Sequence, residues 1–332
     1  MAAVGRQPRL LVLRALGLGD LLTAVPALRA LADAFPDHRR LLACPRELTP
    51  IAELSGAVDE VVGAGPLEPL PAGLGGTELA VDLHGRGPQS HRLLRRLGPQ
   101  RLIAFANRAA GFPDAPRWRP DEHERVRWCR LLDESGIPAD PARLDLPAPP
   151  AHVPARLRGL TIVHPGAAAA ARRWPAERFA AVVRAEIAAG RRVAITGSRS
   201  EAQLARDVAR LADLRGSAVL AGRTGLRELA ALVAAAGRVV CGDTGMAHLA
   251  TALRTPSVIL FGPVAPDLWG PPLGRPWHRV LWTGELGDPH AGEPGSGLLG
   301  IAVDDVLAAL AGLPADDERN SSSYRQSAIV NT

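Results

Sequence analysis

The residues with the clearest chemical potential follow a predicted strand near 238–241. The sequence Asp243-Thr244-Gly245 leads from that strand into a helical pattern that contains His248. A helix that begins in this way directs backbone N–H groups and the positive end of its dipole at one position. Thr244 adds a hydroxyl, and His248 lies one turn further along the same face. The pattern predicts a binding site for a diphosphate.

Asp20 is the second candidate group. It follows a predicted strand near 9–14, after a tight turn that contains Gly17 and Gly19. A carboxylate at this position fits a general base, because the dipole of the next helix favours its ionised form. The alternative is that Asp20 only caps the helix, which contributes about 1 kcal/mol. Gly17 and Gly19 do not form a dinucleotide-binding fingerprint, because the third glycine is absent.

The third candidate is an arginine pair, Arg172-Arg173, between a small-residue loop and a helix that begins near Pro175. Fixed cations beside such a loop can neutralise charge on a leaving phosphate. The alternative is a solvated arginine pair that flanks a packed Trp174. His164, at the end of the preceding strand, fits a hydrogen-bonded core histidine equally well.

Two weaker signals lie at other strand ends. Glu201 follows a predicted strand near 192–196 and either receives ribose hydroxyls or stabilises the start of a helix. Asp82 and His84 end a predicted strand near 78–83, and together with Gly19 they are candidates for the acceptor side.

Composition excludes several classes of protein. All 39 basic residues are arginine, and the net charge is +5 over 332 residues. The arginines are scattered along the chain, so the charge does not indicate nucleic-acid binding. Anionic ligands or an anionic membrane surface stay open as partners. The three cysteines form neither a disulfide framework nor a metal motif, and the nine histidines show no ligand spacing. We therefore predict no metal, no cofactor and a cytoplasmic location.

Strand patterns alternate with helical patterns, which predicts an α/β protein with parallel sheets. The predicted strands lie near 9–14, 39–43, 58–62, 78–83, 100–104, 160–164, 192–196, 217–220, 238–241 and 256–261. The predicted helices lie near 20–35, 47–55, 88–97, 121–135, 175–189, 200–213, 225–236, 245–253 and 302–312. Pro26 predicts a kink or a broken first turn in the first helix.

The pattern divides into domains 1–150 and 151–314, with a disordered tail over 315–332. A loop over 284–298 is predicted to have little structure of its own. Arg14, Asp20 and Arg29 interrupt the first apolar stretch, so we expect no secretion signal, and we expect no membrane-spanning helix.

Several motifs occur together in one order. They are Gly19-Asp20, Pro26-Ala27-Leu28, His164-Pro165-Gly166, Arg172-Arg173-Trp174-Pro175, Gly242-Asp243-Thr244-Gly245-Met246-Ala247-His248, Thr255-Pro256 and Leu260-Phe261-Gly262-Pro263. Taken together, these motifs resemble glycosyltransferase family 9, the heptosyltransferase family, over residues 9 to about 265.

The resemblance implies a GT-B fold, with two Rossmann-like doubly wound domains facing a central cleft. It implies metal-independent, inverting transfer of a sugar, such as heptose from ADP-heptose, to a glycan or glycolipid hydroxyl, at the membrane surface or free of it. The N-terminal domain would then be the acceptor side, and the C-terminal domain would bind the nucleotide sugar.

The resemblance also assigns roles by position. Asp20 matches the general base, and Glu201 matches the carboxylate that binds the donor ribose. The donor diphosphate would contact Arg172, Asp243, Thr244, Gly245 and His248. The family usually has lysine where this chain has Arg172, and arginine keeps the charge with a different geometry.

Two other activities stay open on the same fold. One is a nucleotide-sugar-binding protein without turnover, and the other is a sugar-nucleotide epimerase that needs no acceptor. The sequence identifies neither the donor sugar, the acceptor nor the oligomeric state.

Overall fold

The computed structural model describes residues 7–71 and 73–314, so the predicted tail over 315–332 lies outside the described residues. The chain divides into two compact units, with the division between Leu146 and Pro147. Each unit is built around its own parallel β-sheet.

The first unit contains a five-stranded sheet of buried, largely apolar strands. Its strands are β1 (Arg9–Leu13), β2 (Arg39–Cys44), β3 (Glu60–Gly63), β4 (Leu79–Asp82) and β5 (Arg101–Ile103). They lie in the order β3-β2-β1-β4-β5, and all the pairs are parallel. The chain order therefore reverses between β1 and β4. In doubly wound sheets, ligands bind beyond the carboxyl ends of the strands at such a switch point.

Four α-helices accompany this sheet: α1 (Leu18–Ala34), α2 (Thr49–Leu54), α3 (Gln89–Arg95) and α4 (Glu124–Asp133). The predicted break near Pro26 is not observed in the first turn, because α1 starts at Leu18 and continues through Pro26. Residues 21–28 are all buried. Their packing outweighs the cost of a proline in the helix interior, which is about 3 kcal/mol.

The second unit has the same layered construction. Its strands are β6 (Thr161–His164), β7 (Val193–Ile195), β8 (Arg238–Gly242), β9 (Ser257–Leu260) and β10 (His278–Leu281). They lie in the order β10-β9-β8-β6-β7, again with parallel pairs. Here the switch point lies between β6 and β8.

Within residues 147–314, the second unit contains seven α-helices. They are α5 (Ala176–Ala188), α6 (Ala202–Leu211), α7 (Leu226–Ala235), α8 (Gly245–Ala252), α9 (Pro266–Trp269), α10 (Ser296–Gly300) and α11 (Val303–Ala311). One continuous core joins helices α5, α6 and α11 to the sheet through side chains such as Phe179, Val208 and Val306.

Two predictions for this unit were wrong. The segment 217–220 is no strand: Gly216–Ala218 forms a 3₁₀ turn, and Val219 makes a single bridge to Ile195. The edge strand β10 was missed, because only its first residue, His278, is buried and the other three are exposed or half-buried. Such a pattern gives little periodic signal.

Candidate active site

Asp20 lies in the first turn of α1, beyond the carboxyl end of β1 and thus at the switch point of the first sheet. Its Oδ2 accepts a hydrogen bond from the Gly17 backbone N–H at 3.1 Å. Its Oδ1 lies 3.4 Å from Arg14 Nη2. The Asp20 side chain is 28% exposed, so a ligand can still reach the carboxylate. The capping interaction is therefore real, and it leaves Asp20 free to act as a base as well.

Arg14 is a functional candidate that the sequence reasoning missed. Its side chain has no exposed surface, and Nε donates to the Asp20 carbonyl oxygen at 3.0 Å. Nη2 lies 2.9 Å from Glu124 Oε1, and the guanidinium stacks over the Trp128 ring at 4.7 Å. The available signal was an arginine at the end of the apolar run 10–13.

Gly19 and His84 lie near the same switch point, each half-buried. His84 follows β4, the neighbour of β1 in the sheet. Burial lowers the pKa of His84; Arg14 lowers it further, while Asp82 and Asp20 oppose the shift. The His84 Nδ1 atom is buried without a hydrogen-bond partner among the described residues. A neutral imidazole here keeps one nitrogen able to accept a hydrogen bond.

Asp82 has no exposed surface, unlike Gly19 and His84. Its Oδ2 lies 2.7 Å from His91 Nδ1, and its Oδ1 accepts from the His84 backbone N–H at 2.9 Å. The sequence placed Asp82 on the acceptor side. In the folded chain both of its oxygens are bonded within the protein, and the carboxylate fixes the turn that carries His84.

In the second unit, the remaining candidates follow three neighbouring strands. Arg172 follows β6, Glu201 follows β7 and Asp243 follows β8, and these strands are adjacent in the order β8-β6-β7. Because carboxyl ends of parallel strands meet at one edge, all three residues lie at the edge where ligands bind.

Helix α8 presents one accessible face at this edge. Thr244 caps the helix, and its hydroxyl accepts from the Met246 N–H at 3.3 Å. Thr244, Gly245 and His248 are half-buried, whereas Met246 is buried in the core. The His248 ring lies 5.8 Å from the Trp269 ring. The Thr244 O–H can therefore still donate to a phosphate oxygen above the first turn of the helix.

The two arginines of the pair have different partners. Arg172 Nη1 lies 3.3 Å from the Asp243 carbonyl oxygen, and its buried Nε has no partner among the described residues. Arg173 Nε donates to the Ala167 carbonyl and pins the small-residue loop. Trp174 is buried and donates to the Ile301 carbonyl at 3.1 Å, so it is a packing anchor, as one interpretation of the sequence proposed.

Asp243 is almost completely buried. Burial raises the pKa of Asp243 to about 6, and the charge of Arg172 opposes the shift only in part. A carboxyl with this pKa repels an anionic ligand less than an ordinary aspartate, because a fraction of it is neutral near pH 6.

Glu201 lies against the His-Pro-Gly loop. Its Oε2 accepts from the Ser198 N–H at 2.7 Å, and a Cβ atom added at Gly166 would lie 2.2 Å from the Glu201 Cδ. Burial lowers the pKa of His164, with the charge of Glu201 opposing it, and His164 Nδ1 lies 3.0 Å from Thr196 Oγ1. His164 is thus a hydrogen-bonded histidine, and a larger residue at Gly166 would have to displace the Glu201 carboxylate.

The loop over 284–298 holds the segment that carries Arg172. The Ala171 N–H donates to the Ala291 carbonyl at 3.1 Å, and the Gly295 N–H donates to the Ala171 carbonyl at 3.3 Å. The loop also ends in helix α10, which the sequence did not predict. Its backbone therefore supports the arginine of the candidate site.

Within 7–71 and 73–314, no group of three or more His, Cys, Asp or Glu side chains could hold a metal ion. No helix in these ranges combines the length and apolar character needed to cross a bilayer.

Comparison with known proteins finds similarity to one family. Residues 136–283, less than half of the chain, match the model of glycosyltransferase family 9 (heptosyltransferase). Over 106 residues, or 31% of its length, the chain is 35% identical to lipooligosaccharide heptosyltransferase 2 of Haemophilus influenzae. The matched residues span only 30% of the length of that relative.

Solved structures of family 9 enzymes match over more of the chain. The structure of E. coli ADP-heptose LPS heptosyltransferase II is similar at a TM-score of 0.72 and 22% identity, over 91% of this chain and 97% of that one. A family 9 glycosyl transferase of Veillonella parvula gives a TM-score of 0.74 at 20% identity, over 92% and 96%. At this identity the likeness establishes the fold, and the predicted GT-B class is confirmed.

Proposed function

We propose that this chain is an inverting glycosyltransferase of family 9 that moves a sugar from a nucleotide-diphosphate sugar to a hydroxyl of a glycan or glycolipid. One observation carries the proposal: the predicted base and the predicted diphosphate ligands lie at the switch points of the two sheets. These are the positions at which doubly wound sheets bind ligands.

The donor that fits best is ADP-heptose, and the acceptor is a lipopolysaccharide-type glycan. The similarity to the E. coli ADP-heptose LPS heptosyltransferase II and to the H. influenzae lipooligosaccharide heptosyltransferase 2 supports this choice. Burial of all three cysteines as free thiols fits a reducing, cytoplasmic setting. Association with the inner face of the membrane belongs to the same proposal.

The chemical step is a single displacement. Asp20 accepts the proton of the acceptor hydroxyl while the oxygen of that hydroxyl attacks the anomeric carbon of the donor. The bond from that carbon to the diphosphate oxygen breaks, and the nucleoside diphosphate leaves with the bond electrons. Attack on the side opposite the leaving group inverts the anomeric configuration. General-base catalysis of this kind contributes roughly 10²–10⁴-fold to the rate.

The leaving diphosphate needs positive partners, and the second unit offers them without a metal ion. Arg172 supplies a fixed guanidinium, Thr244 and Gly245 begin a helix, and His248 lies one turn along the accessible face. Glu201 lies at the next strand end, where it would accept the ribose hydroxyls. Such preorganised donors stabilise charge as it develops.

The experiment that tests the donor class is a thermal-shift screen with ADP-, GDP-, UDP- and dTDP-sugars. A ligand present at 100 times its Kd should add about 2.7 kcal/mol of stability. We expect ADP-heptose to raise the melting temperature most. A larger increase in melting temperature with another nucleotide sugar would identify that compound as the donor in place of ADP-heptose. No increase with any of the four nucleotide sugars would contradict the proposal.

A further inference from the structure

Arg14 is completely buried, and every one of its donor nitrogens is directed at an oxygen. Nε donates to the Asp20 carbonyl at 3.0 Å, and Nη1 donates to the Leu83 carbonyl. Nη2 faces Glu124 Oε1 at 2.9 Å, with Asp20 Oδ1 and Thr23 Oγ1 each at 3.4 Å. A buried charge with this many partners is held in one geometry, because each partner constrains a different part of the planar guanidinium.

A second layer holds Arg14 in place. Glu124 Oε1 also accepts from Trp128 Nε1 at 2.9 Å, and Glu124 Oε2 pairs with Arg127. Two carboxylates, Asp20 and Glu124, thus face two arginines, Arg14 and Arg127. The local charges balance, which offsets part of the cost of burying them.

The contacts to Asp20 reach both its backbone and its side chain. Arg14 Nε and the Thr23 hydroxyl both donate to the Asp20 carbonyl, at 3.0 and 2.9 Å. Arg14 Nη2 and the Gly17 N–H then lie at the two carboxylate oxygens. These contacts therefore hold the side chain of Asp20 in one rotamer, while the exposed side of the carboxylate remains accessible to a ligand.

We propose that Arg14 is a positioning residue for Asp20: it orients the carboxylate, and Glu124 holds the Arg14 guanidinium in the geometry that does so. This inference rests on the proposed function, in which Asp20 is the general base. Through Leu83, Arg14 also fixes the chain immediately before His84, so one side chain sets two strand ends at the switch point.

Lysine cannot replace this arrangement. A single ammonium has no planar fork, so it cannot donate to the Asp20 carbonyl, the Leu83 carbonyl and Glu124 in the same geometry. Arg14→Lys should therefore keep the charge and lose the orientation. Arg14→Met should lose both, leaving two carboxylates against one arginine.

Kinetics with the donor that the screen selects give the first test. We expect Arg14→Lys to lower kcat about 10- to 100-fold with KM for the donor little changed, since misplacement of about 1 Å can cost about 10²-fold. Arg14→Met should lower kcat at least as far. Glu124→Gln should also lower kcat, because Arg14 then loses the buried carboxylate that holds its Nη2.

The matched control is Arg29→Lys, since Arg29 lies in the same helix as Asp20 and donates to the Ser55 and Arg143 carbonyls. Its kcat should stay at the wild-type value. A purely structural role for Arg14 would lower thermal stability and leave the kcat of the folded enzyme unchanged. That result for both Arg14 variants would overturn the inference.

A readout without turnover separates this inference from the proposed function. In protein labelled with ¹³C-aspartate, the chemical shift of the Asp20 carboxyl carbon at one fixed pH should differ from wild type in Arg14→Lys and Arg14→Met and match wild type in Arg29→Lys. This pattern supports the positioning role even if no tested donor is turned over, an outcome that would contradict the transferase proposal alone. A chemical shift that matches wild type in both Arg14 variants would overturn the positioning role alone.

Discussion

The His91 imidazole and the Asp82 carboxylate form a fully buried pair, with His91 Nδ1 2.7 Å from Asp82 Oδ2. The other ring nitrogen, Nε2, lies 2.7 Å from the Phe105 carbonyl oxygen, which can only accept. Both nitrogens therefore face acceptors, and the imidazolium form satisfies both. Burial alone lowers the pKa of His91, but the hydrogen bond and charge of Asp82 and the Phe105 carbonyl outweigh it, so the pKa is raised.

This pair predicts a pH-dependent contribution to stability. A raised histidine pKa means that the stabilisation is complete below the unfolded value of about 6.5 and is lost as pH rises through the folded value. His91→Phe should lose about 3–5 kcal/mol, because Asp82 stays buried without a cationic partner. Urea unfolding of both proteins between pH 5.5 and about pH 9 measures this. An equal free energy of unfolding in variant and wild type would contradict the charged pair.

Asp243 in the second unit should give the free energy of unfolding a pH dependence of the same sign, over a lower pH interval. Its pKa, raised to about 6 by burial, exceeds the unfolded value of about 3.9. The folded state therefore binds more protons in this interval, and stability should fall as pH rises from about 4 to about 6, by something on the order of 2–3 kcal/mol. Asp243→Asn should lack this component. A stability difference between the two proteins that stays constant over the interval would count against the buried, protonated carboxyl.

Donor binding should shift the same group further. A diphosphate beside Asp243 favours the neutral carboxyl, so binding near pH 6.5 should take up a fraction of a proton. Calorimetry of ADP binding in buffers of different ionisation enthalpy measures the uptake. Asp243→Asn isolates the contribution of this residue, and identical uptake by both proteins would place the diphosphate elsewhere.

Substitution of Gly166 should lower the affinity for the donor through Glu201. A methyl group at Gly166 would lie 2.2 Å from the Glu201 Cδ, so Gly166→Ala must displace the carboxylate. If Glu201 binds the ribose, affinity for the donor should fall about tenfold, which is about 1.4 kcal/mol. Gly216→Ala is the matched control, since no atom lies within 4 Å of a methyl group there. Equal donor affinity in Gly166→Ala, Gly216→Ala and wild type would remove Glu201 from the ribose site.

Loss of the Arg172 side chain should lower the affinity for ligands that carry a diphosphate. Arg172→Ala should weaken binding of ADP roughly 10- to 100-fold, because a charge-assisted contact of about 1.5–3 kcal/mol is lost. Binding of adenosine should be much less affected. Arg184→Ala is the control, since Arg184 in the same unit is bonded to the Leu211 carbonyl. Unchanged ADP affinity in Arg172→Ala would exclude the phosphate contact.

Periodicity sufficed for most of the fold. Apolar runs such as residues 10–13 and 239–241, followed by helical patterns, predicted nine of the ten strands of the described residues near their observed positions. The tenth, β10, has only one buried residue, and the segment near Val219 forms only one bridge because a 3₁₀ turn precedes it. Such outcomes depend on neighbours that are distant in sequence.

Some residues of the candidate site could be predicted from the sequence, and others could not. Asp20, Arg172 and Asp243 could be found because each follows a strand in a recognisable motif. Arg14 could not, since its partner Glu124 is 110 positions away in the chain. The burial of Asp82 was hidden for a similar reason: His91, which occupies its carboxylate, belongs to a separate helix with no motif of its own.

Product formation by wild type and Asp20→Asn, with ADP-heptose and a lipopolysaccharide acceptor, is the most direct test of the account. The Asp20→Asn variant keeps the size of the side chain and removes the base. We predict that nucleoside diphosphate release falls roughly 10²–10⁴-fold, while the Kd for the donor, measured on the same samples by calorimetry, stays within about twofold. Wild-type turnover by Asp20→Asn would contradict the central claim.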